Sequence, residues 1–372
     1  MLYSLRLKNL NSFEFSVNVI SLGLSKFKKY FCFLNKTPLL RHMQAEKSQK
    51  RLENFNFFKY VGFNILIIIL LKFLFFSCSH HEKVKNDQSK QYITVLGIAQ
   101  DAGFPHINYS DEWTQYKEGH TKELVVSLGL IDKELNKKWL FEATPDMPEQ
   151  LFDLENDHLK NDNIIDGVFL THAHMGHYTG LMHFGREAMG ANNVPVYAMP
   201  KMKVFLENNG PWSQLVSLKN IELRPLSKDS TFILNKNYKV TPFIVPHRDE
   251  YSETVGYKIE GPHKSALFIP DINKWSLWER NIVDEIKAVD YAFLDATFFK
   301  DGEIPRPMSE VPHPFIEETM SLLMDEEMDV RSKVIFIHFN HSNPAILESH
   351  RLKDSVSDLG FRFARRGDRF PL

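Results

Sequence analysis

Three histidines stand within six residues of one another in Thr171-His172-Ala173-His174-Met175-Gly176-His177, directly after the apolar run Ile164-Ile165-Asp166-Gly167-Val168-Phe169-Leu170. A buried strand that ends in such a cluster delivers its imidazoles from a rigid support. In an extended loop, residues 172 and 174 point the same way because the side-chain period is two. This is a metal-binding pattern, and imidazole suits zinc as well as iron, copper and nickel, so the spacing leaves the metal open. Further along, His247 follows Val245-Pro246, Asp271 closes Ala266-Leu267-Phe268-Ile269-Pro270, and His338 follows Val334-Ile335-Phe336-Ile337. Each sits where an apolar run gives way to a loop, the kind of place where sites are built. A lone histidine there would more often be a satisfied core residue, so the repetition carries the expectation of a shared metal site.

The elements that must position these residues are short β-rich runs separated by turn residues. Strands are expected at 92–99, 124–131, 138–143, 164–170, 195–198, 221–225, 239–245, 254–259, 266–269, 291–294 and 333–339. Helices are expected at 146–156, 178–190, 200–208, 275–287 and 314–328. So many strands with interspersed helices imply two sheets with helices packed outside them.

The 372 residues, 43% hydrophobic and 25% charged, are enough to bury a full core without disulfides. A formal charge of −2 gives no sign of a nucleic-acid surface, and no nucleic-acid partner is expected. With only two cysteines, Cys32 and Cys78, a cysteine-ligated zinc finger and a disulfide scaffold are excluded, so any metal is held by histidine and carboxylate. Residues 1–58 read as an N-terminal arm, with Met43 an internal candidate start. Residues 59–78 have signal-peptide anatomy, an apolar core flanked by positive charge. The run 65–71 is too short to span a bilayer unaided and Lys72 interrupts the longer stretch. The ending Phe75-Phe76-Ser77-Cys78 resembles the lipobox of bacterial lipoproteins, in which the cysteine is acylated and becomes the mature N-terminus, although Phe75 stands where an aliphatic residue is usual. The expected location is therefore the bacterial envelope, with the chain lipid-anchored at Cys78 or exported, or else retained through an N-terminal membrane segment. Residues 79–91 read as a polar tether and 92–372 as the folded domain.

On these residues the chain resembles the metallo-β-lactamase superfamily, whose signature is His-x-His-x-Asp-His followed by a single His, a bridging Asp and a last His. More narrowly it is similar to the pyrroloquinoline quinone biosynthesis protein B branch. That likeness rests on Leu96-Gly97-Ile98-Ala99-Gln100-Asp101-Ala102-Gly103-Phe104-Pro105, Glu142-Ala143-Thr144-Pro145-Asp146, Tyr178-Thr179-Gly180-Leu181, Leu294-Asp295-Ala296-Thr297-Phe298-Phe299 and Ile337-His338-Phe339-Asn340-His341-Ser342-Asn343-Pro344. The resemblance covers residues 92 to about 365. It implies an α+β, αββα sandwich of two mixed β-sheets with helices on the outer faces and the metal centre at the rim between the sheets. It also implies a first metal held by His172, His174 and His247, a bridging Asp271, and a second metal served by His177 and His338. Gly176 stands where the superfamily has the second-site aspartate. One tightly held zinc and a weak second site are therefore expected, with iron or manganese as other occupants. If two metals bind tightly, His341 or Asp101 is the nearest candidate to fill the vacancy. In related phosphodiesterases and tRNA-processing members a histidine at the position of His313 assists catalysis and a carboxylate at Asp295 orients it. Glu142 and Asp146 fall where an acid hydrogen-bonds the histidine loop. His341, His106 and His120 are weaker candidates, and His183 reads as packing.

A metal held by His172, His174, His247 and Asp271 would lower the pKa of water from 15.7 to about 7, which points to hydrolysis of a small-molecule ester, lactone, amide or phosphodiester. The branch resemblance offers a rival, a non-haem iron oxygenase or other redox step in quinone-cofactor maturation. Against it stand the export signal and the absence of the branch's N-terminal cysteines, with Asn108 and Tyr109 in that vicinity. A lipoprotein that binds metal without catalysis is the third reading.

Overall fold

The computed structural model describes residues 89–347 and 351–372. The expectations for 1–58 and 59–78, and most of 79–91, lie outside the described residues. Among the described residues no helix is long and apolar enough to cross a membrane.

One sheet is built from β1 (Gln91–Gly97), β2 (Ser127–Asp132), β3 (Lys137–Phe141), β4 (Val168–Phe169), β5 (Val194–Ala198) and β6 (Ile221–Pro225). The other contains β7 (Phe232–Ile233), β8 (Lys239–Ile244), β9 (Val255–Glu260), β10 (Ser265–Ile269), β11 (Tyr291–Asp295), β12 (Val334–Ile337) and β13 (Arg362–Phe363). The last strand, β14 (Arg369–Pro371), returns to the first sheet beside β1, so the strand orders are β14-β1-β2-β3-β4-β5-β6 and β13-β12-β11-β10-β9-β8-β7. Both sheets are mixed, with β3 to β6 parallel and β10 to β13 parallel.

Alternation decides which face each residue serves. Trp139, Phe141, Phe169 and Tyr197 point into the space between the sheets, while Leu140, Val168, Val196 and Ala198 from the same strands point outward. The inward set is aromatic and interlocks with the other sheet: Phe141 stacks on Phe169 at 4.8 Å and meets Tyr257 of β9 edge-on at 5.3 Å. The outward set is covered by Met147 and Leu151 of the helix Met147–Asp153 and by Met202 and Leu206 of Pro200–Asn208. Ile282, Ile286, Ile316, Leu323 and Val356, from helices after β10, cover the second sheet. This is the expected αββα sandwich.

The same topology gathers the site. β8 and β10 are each antiparallel to β9, and β10, β11 and β12 are parallel, so β8, β10, β11 and β12 all end on one rim. The histidine loop after β4 is tied to that rim by the Tyr257 hydroxyl donating to Leu170 O at 2.5 Å and Val255 N donating to Thr171 O at 3.2 Å.

Several expected elements differ. The strand expected at 164–170 shrinks to Val168–Phe169, because the Asp166 carboxylate accepts from Lys138 N at 2.9 Å and pairs with Lys137, making a turn there instead. The helix expected at 178–190 is one α-turn, Met175–Tyr178, followed by the 3₁₀ segment Thr179–Phe184, after which Gly185 and Gly190, the latter at φ +60°, turn the chain. That expected at 275–287 is split by Asn281, whose side chain accepts from Val283 N and starts Ile282–Lys287. Residues 314–328 likewise divide into Ile316–Leu323 and the start of Met328–Arg331. Helices Ser110–Lys117, Trp212–Ser217 and Arg351–Asp358 and strands β7, β13 and β14 were not expected.

Candidate metal centre

Four histidines of the expected set, His172, His174, His247 and His338, set one ring nitrogen against an acceptor behind it, and that decides what the other nitrogen offers. The Thr171 hydroxyl donates its single proton to Glu142 Oε1 at 2.5 Å, so it must accept from His172 Nδ1, 2.9 Å away. His172 Nε2 is left as a bare lone pair. The Thr297 hydroxyl repeats the device: it donates to Asp295 Oδ1 at 2.7 Å and accepts from His338 Nδ1 at 2.8 Å, which bares His338 Nε2. His247 donates from Nδ1 to Asn273 Oδ1 at 3.1 Å, and His174 Nε2 faces the Glu250 carboxylate at 3.3 Å. His177 Nδ1 lies 3.3 Å from Glu142 Oε1.

The bare atoms converge. His174 Nδ1 lies 2.8 Å from His172 Nε2 and 3.3 Å from His247 Nε2. Asp271 presents Oδ2 at 3.2 Å from His172 Nε2 and Oδ1 at 3.2 Å from His247 Nε2. An N–H···N bond between His172 and His174 would require one ring to be doubly protonated. Burial, helped by the neighbouring His177 charge, holds His172 well below the ordinary imidazole range. Four lone-pair atoms so close repel one another unless a cation sits between them, and tetrahedral ligands at 2.0–2.1 Å from zinc are separated by roughly 3.3 Å. The donor set therefore fits a zinc-sized ion.

A second group adjoins it. His177 Nε2 lies 3.6 Å from Asp271 Oδ2 and 3.2 Å from Oδ1 of Asp101, a residue of the loop after β1. Among the described residues, Asp101 Oδ1, both ring nitrogens of His177, Asp271 Oδ1 and His338 Nε2 are all buried without a hydrogen-bond partner, so the short separations here are not aligned hydrogen bonds. Asp101, His177 and His338 each bring one donor atom within 4.8 Å of the others. The structure thus places a carboxylate beside the backbone of Gly176.

His313 and Asp295 stand next to Asp271, as expected. His313 Nδ1 lies 2.8 Å from Asp295 Oδ2 and 3.1 Å from Asp271 Oδ1, and Asp295 is itself pinned by Thr297 N at 2.9 Å and Ile272 N at 3.0 Å. Burial opposes charge on His313, but Asp295 and Asp271 outweigh it and push its pKa up to about 10. Asp271 is held well below the carboxylate range: burial acts against it, and the His247 and His313 charges prevail. For His177, Glu142 and Asp101 outweigh burial and raise the pKa, whereas burial dominates at His338 and lowers it to about 4. Two site residues, Glu142 at φ 81° and His338 at φ 70°, hold left-handed backbone, a strain of about 1–3 kcal/mol each that persists where surrounding structure enforces it.

Other expected residues lie elsewhere. His341 pairs with Glu112 at 2.7 Å and packs at a tilt against Tyr109 at 4.0 Å and His106 at 4.2 Å, and it belongs to none of the metal-ligand groups among the described residues. His120 is exposed, and so is His183, against the expectation of packing. Asp146 accepts from Val125 N at 2.9 Å and pairs with Lys122, so the acid that holds the histidine loop is Glu142 alone. Sequence reasoning missed Thr171, Thr297, Asn273 and Glu250, whose roles depend on partners distant in sequence. Beside Glu250, a groove of about 580 Å3 is lined by Phe205, Asp249 and Tyr251.

A family profile described as "Beta-lactamase superfamily domain" matches residues 138–339. Coenzyme PQQ synthesis protein B of Gluconobacter oxydans (strain 621H) is 24% identical over 312 residues, covering 75% of this chain and 98% of the relative. The protein of the same name from Cupriavidus necator is 23% identical over 306 residues, 74% and 97% of the two chains. Among solved structures, Zn(2+)-bound PqqB from Methylobacterium extorquens superposes with a TM-score of 0.64 at 20% identity, covering 76% of this chain and all of that one. A diphosphatase from the PhnP family superposes with a TM-score of 0.52 at 23% identity, covering 75% and 96%.

Proposed function

Because the chain belongs to the metallo-β-lactamase superfamily, on its branch similar to coenzyme PQQ synthesis protein B, we propose that it is a metal-dependent hydrolase acting on a small-molecule ester, lactone, amide or phosphodiester. The observation that carries this reading is the set of bare nitrogens of His172, His174 and His247 facing Asp271, each fixed by an acceptor behind its ring. When bound there, zinc supplies Lewis-acid chemistry: it polarises a carbonyl or phosphoryl oxygen and lowers the pKa of water from 15.7 to about 7.

The chain's own residues do the rest. Asp271, held ionised, balances the charge of the centre and sets the spacing of His172 and His247. His313 is anchored through Nδ1 to Asp295, which leaves Nε2 as the nitrogen that exchanges a proton with the substrate's leaving or attacking oxygen. Phe205 and Tyr251 offer apolar walls for a substrate approaching past Glu250.

The test is turnover of p-nitrophenyl esters, lactones and bis-(p-nitrophenyl) phosphate by the zinc-loaded full chain, beside the single variants His172→Ala, His247→Ala and Asp271→Ala. Each variant should lose both zinc and activity, and combinations should cost little more than one. A zinc-loaded protein inert to the whole panel would overturn the reading.

A further inference from the structure

Gly176 and Asp101 occupy one place. A Cβ on residue 176 would lie 2.3 Å from Asp101 Oδ1 and 2.6 Å from Asp101 Cα, closer than real atoms come. A side chain at 176 and the present position of Asp101 therefore exclude each other. Asp101 does not drift there by chance. Its loop is stapled to the strand end that carries His338: Phe339 N donates to Ile98 O and Gln100 N to Phe339 O, both at 2.8 Å. The Asn340 amide adds a bond to Gln100 Oε1 at 2.5 Å. Gly103, at φ +71°, closes the turn through its N–H to Gln100 O at 2.8 Å, so Asp101 sits at the tip of a tight turn. From that tip its Oδ1 is buried, lacks a hydrogen-bond partner, and meets His177 Nε2 at 3.2 Å beside the equally unpartnered His338 Nε2 and Asp271 Oδ1.

We propose that Asp101 is the carboxylate ligand of a second metal, reaching in from the loop after β1 to replace the one that Gly176 cannot supply, so that the chain holds two metals in adjoining sites bridged by Asp271. The inference rests on the metal-centre reading above and concerns its stoichiometry and ligands, whatever the substrate. The second ion would then have Asp101, His177 and His338 as its own ligands besides Asp271, a donor set of ordinary completeness for a divalent cation.

The probe is zinc alone, counted by inductively coupled plasma mass spectrometry on the full chain after dialysis and titrated calorimetrically, with circular dichroism and melting to confirm folding. The expected result is two zinc ions per chain, falling to about one in Asp101→Asn, with the second at least roughly tenfold weaker. His338→Gln should lose the same ion, and the double variant should lose no more than either single one. Gly176→Ala should lower second-site zinc, because its Cβ displaces Asp101 without supplying a carboxylate; an undiminished second-site affinity in that variant would overturn the proposal. So would an unchanged second-zinc affinity in Asp101→Asn. Should Asp101→Asn melt early, Asp101→Glu, which keeps a carboxylate, must retain more of the second ion than Asp101→Ala does, and equal loss in both overturns the assignment. Two ions bound equally by the native chain and Asp101→Asn sink this inference alone, whereas no zinc in the native chain sinks the reading on which it rests.

Discussion

Glu142 is fully buried and supports both halves of the centre through one oxygen. Its Oε1 accepts from Thr171, which orients His172, and lies 3.3 Å from Nδ1 of His177. Glu142→Gln keeps the shape and removes the charge. A hydrogen bond to a charged group contributes about 1.5–3 kcal/mol and one to a neutral group about 0.5–1.5, so the Thr171 contact should weaken by roughly 1 kcal/mol. The new amide nitrogen must take the place of Oε2, 3.5 Å from Thr171 N, setting donor against donor. Loss of an acceptor behind a ligating histidine typically weakens metal binding about 10- to 100-fold, or about 1.4–2.7 kcal/mol. Competition between the protein and a chromophoric zinc chelator measures this directly, with thermal melting alongside. Glu142→Ala should be worse, since it strands the buried Thr171 hydroxyl. Glu142→Gly should recover about 1 kcal/mol of stability relative to alanine, because glycine adopts φ 81° without strain. Native zinc affinity in Glu142→Gln would refute the idea that this carboxylate sets the tautomers.

His313→Gln should keep the native zinc content while lowering kcat by about 10²- to 10⁴-fold; loss of zinc instead would mean that His313 holds the centre together rather than moving a proton. Gly180→Ala would put a Cβ 2.1 Å from Thr144 O and 2.9 Å from the Ala143 carbonyl, backbone that has no side-chain freedom to give way, and should destabilise by about 1–3 kcal/mol; an unchanged melting temperature argues against so tight a seat for the histidine loop. His158 lies away from the centre, between Tyr92 and Thr94 hydroxyls at 3.2 Å each, and burial, with help from Arg369, lowers its pKa from 6.5 to about 4. Between those values the unfolded chain binds more protons than the folded one, so the His158 contribution is complete above pH 6.5 and is lost as the pH falls to about 4. After allowance for partial solvation the loss is about 1–2 kcal/mol, and His158→Gln should flatten the acid side of a melting-temperature profile. Outside the described residues, we propose that Cys78 is acylated; Cys78→Ser should then release the domain from membranes, and retention with an intact N-terminus would mean a membrane-spanning anchor.

The central strands were legible because both of their faces are buried and their sequences are apolar throughout, as in β10, where Ala266, Leu267, Phe268 and Ile269 are wholly enclosed. β13 and β14 lacked that signal. They are short, carry Arg362 and Arg369, and exist because partners far away in sequence accept them, Tyr92 pairing with Pro371 and Phe336 with Phe363. The helix expected after the histidine loop has the apolar spacing of Leu181 and Phe184, but Gly185 caps the segment and the chain turns there. The ligands themselves could be read because topology demands that parallel strands end together, which turns a list of strand-end residues into a cluster. What holds those ligands could not. Thr171 and Thr297 look like ordinary strand-end threonines, and their part emerges only from counting one hydroxyl proton between two neighbours.

Gly176 shows how a departure from a motif misleads when the motif is read along the chain. In sequence the glycine is a deleted ligand, and the natural inference is a deficient site. In space a metal responds to donor atoms, and the strand from which a carboxylate arrives is immaterial. The rim where β4 and β12 end also receives the loop after β1, through the hydrogen bonds of Ile98 and Gln100 with Phe339. That contact brings Asp101 to the place a residue-176 side chain would fill, and the 2.3 Å separation makes the two arrangements alternatives. If so, the glycine is required by Asp101 rather than merely tolerated, and even the smallest side chain should be harmful there. Gly176→Ala should cost second-site zinc although alanine removes no donor atom, and a variant with undiminished second-site affinity would show that Asp101 and residue 176 do not compete.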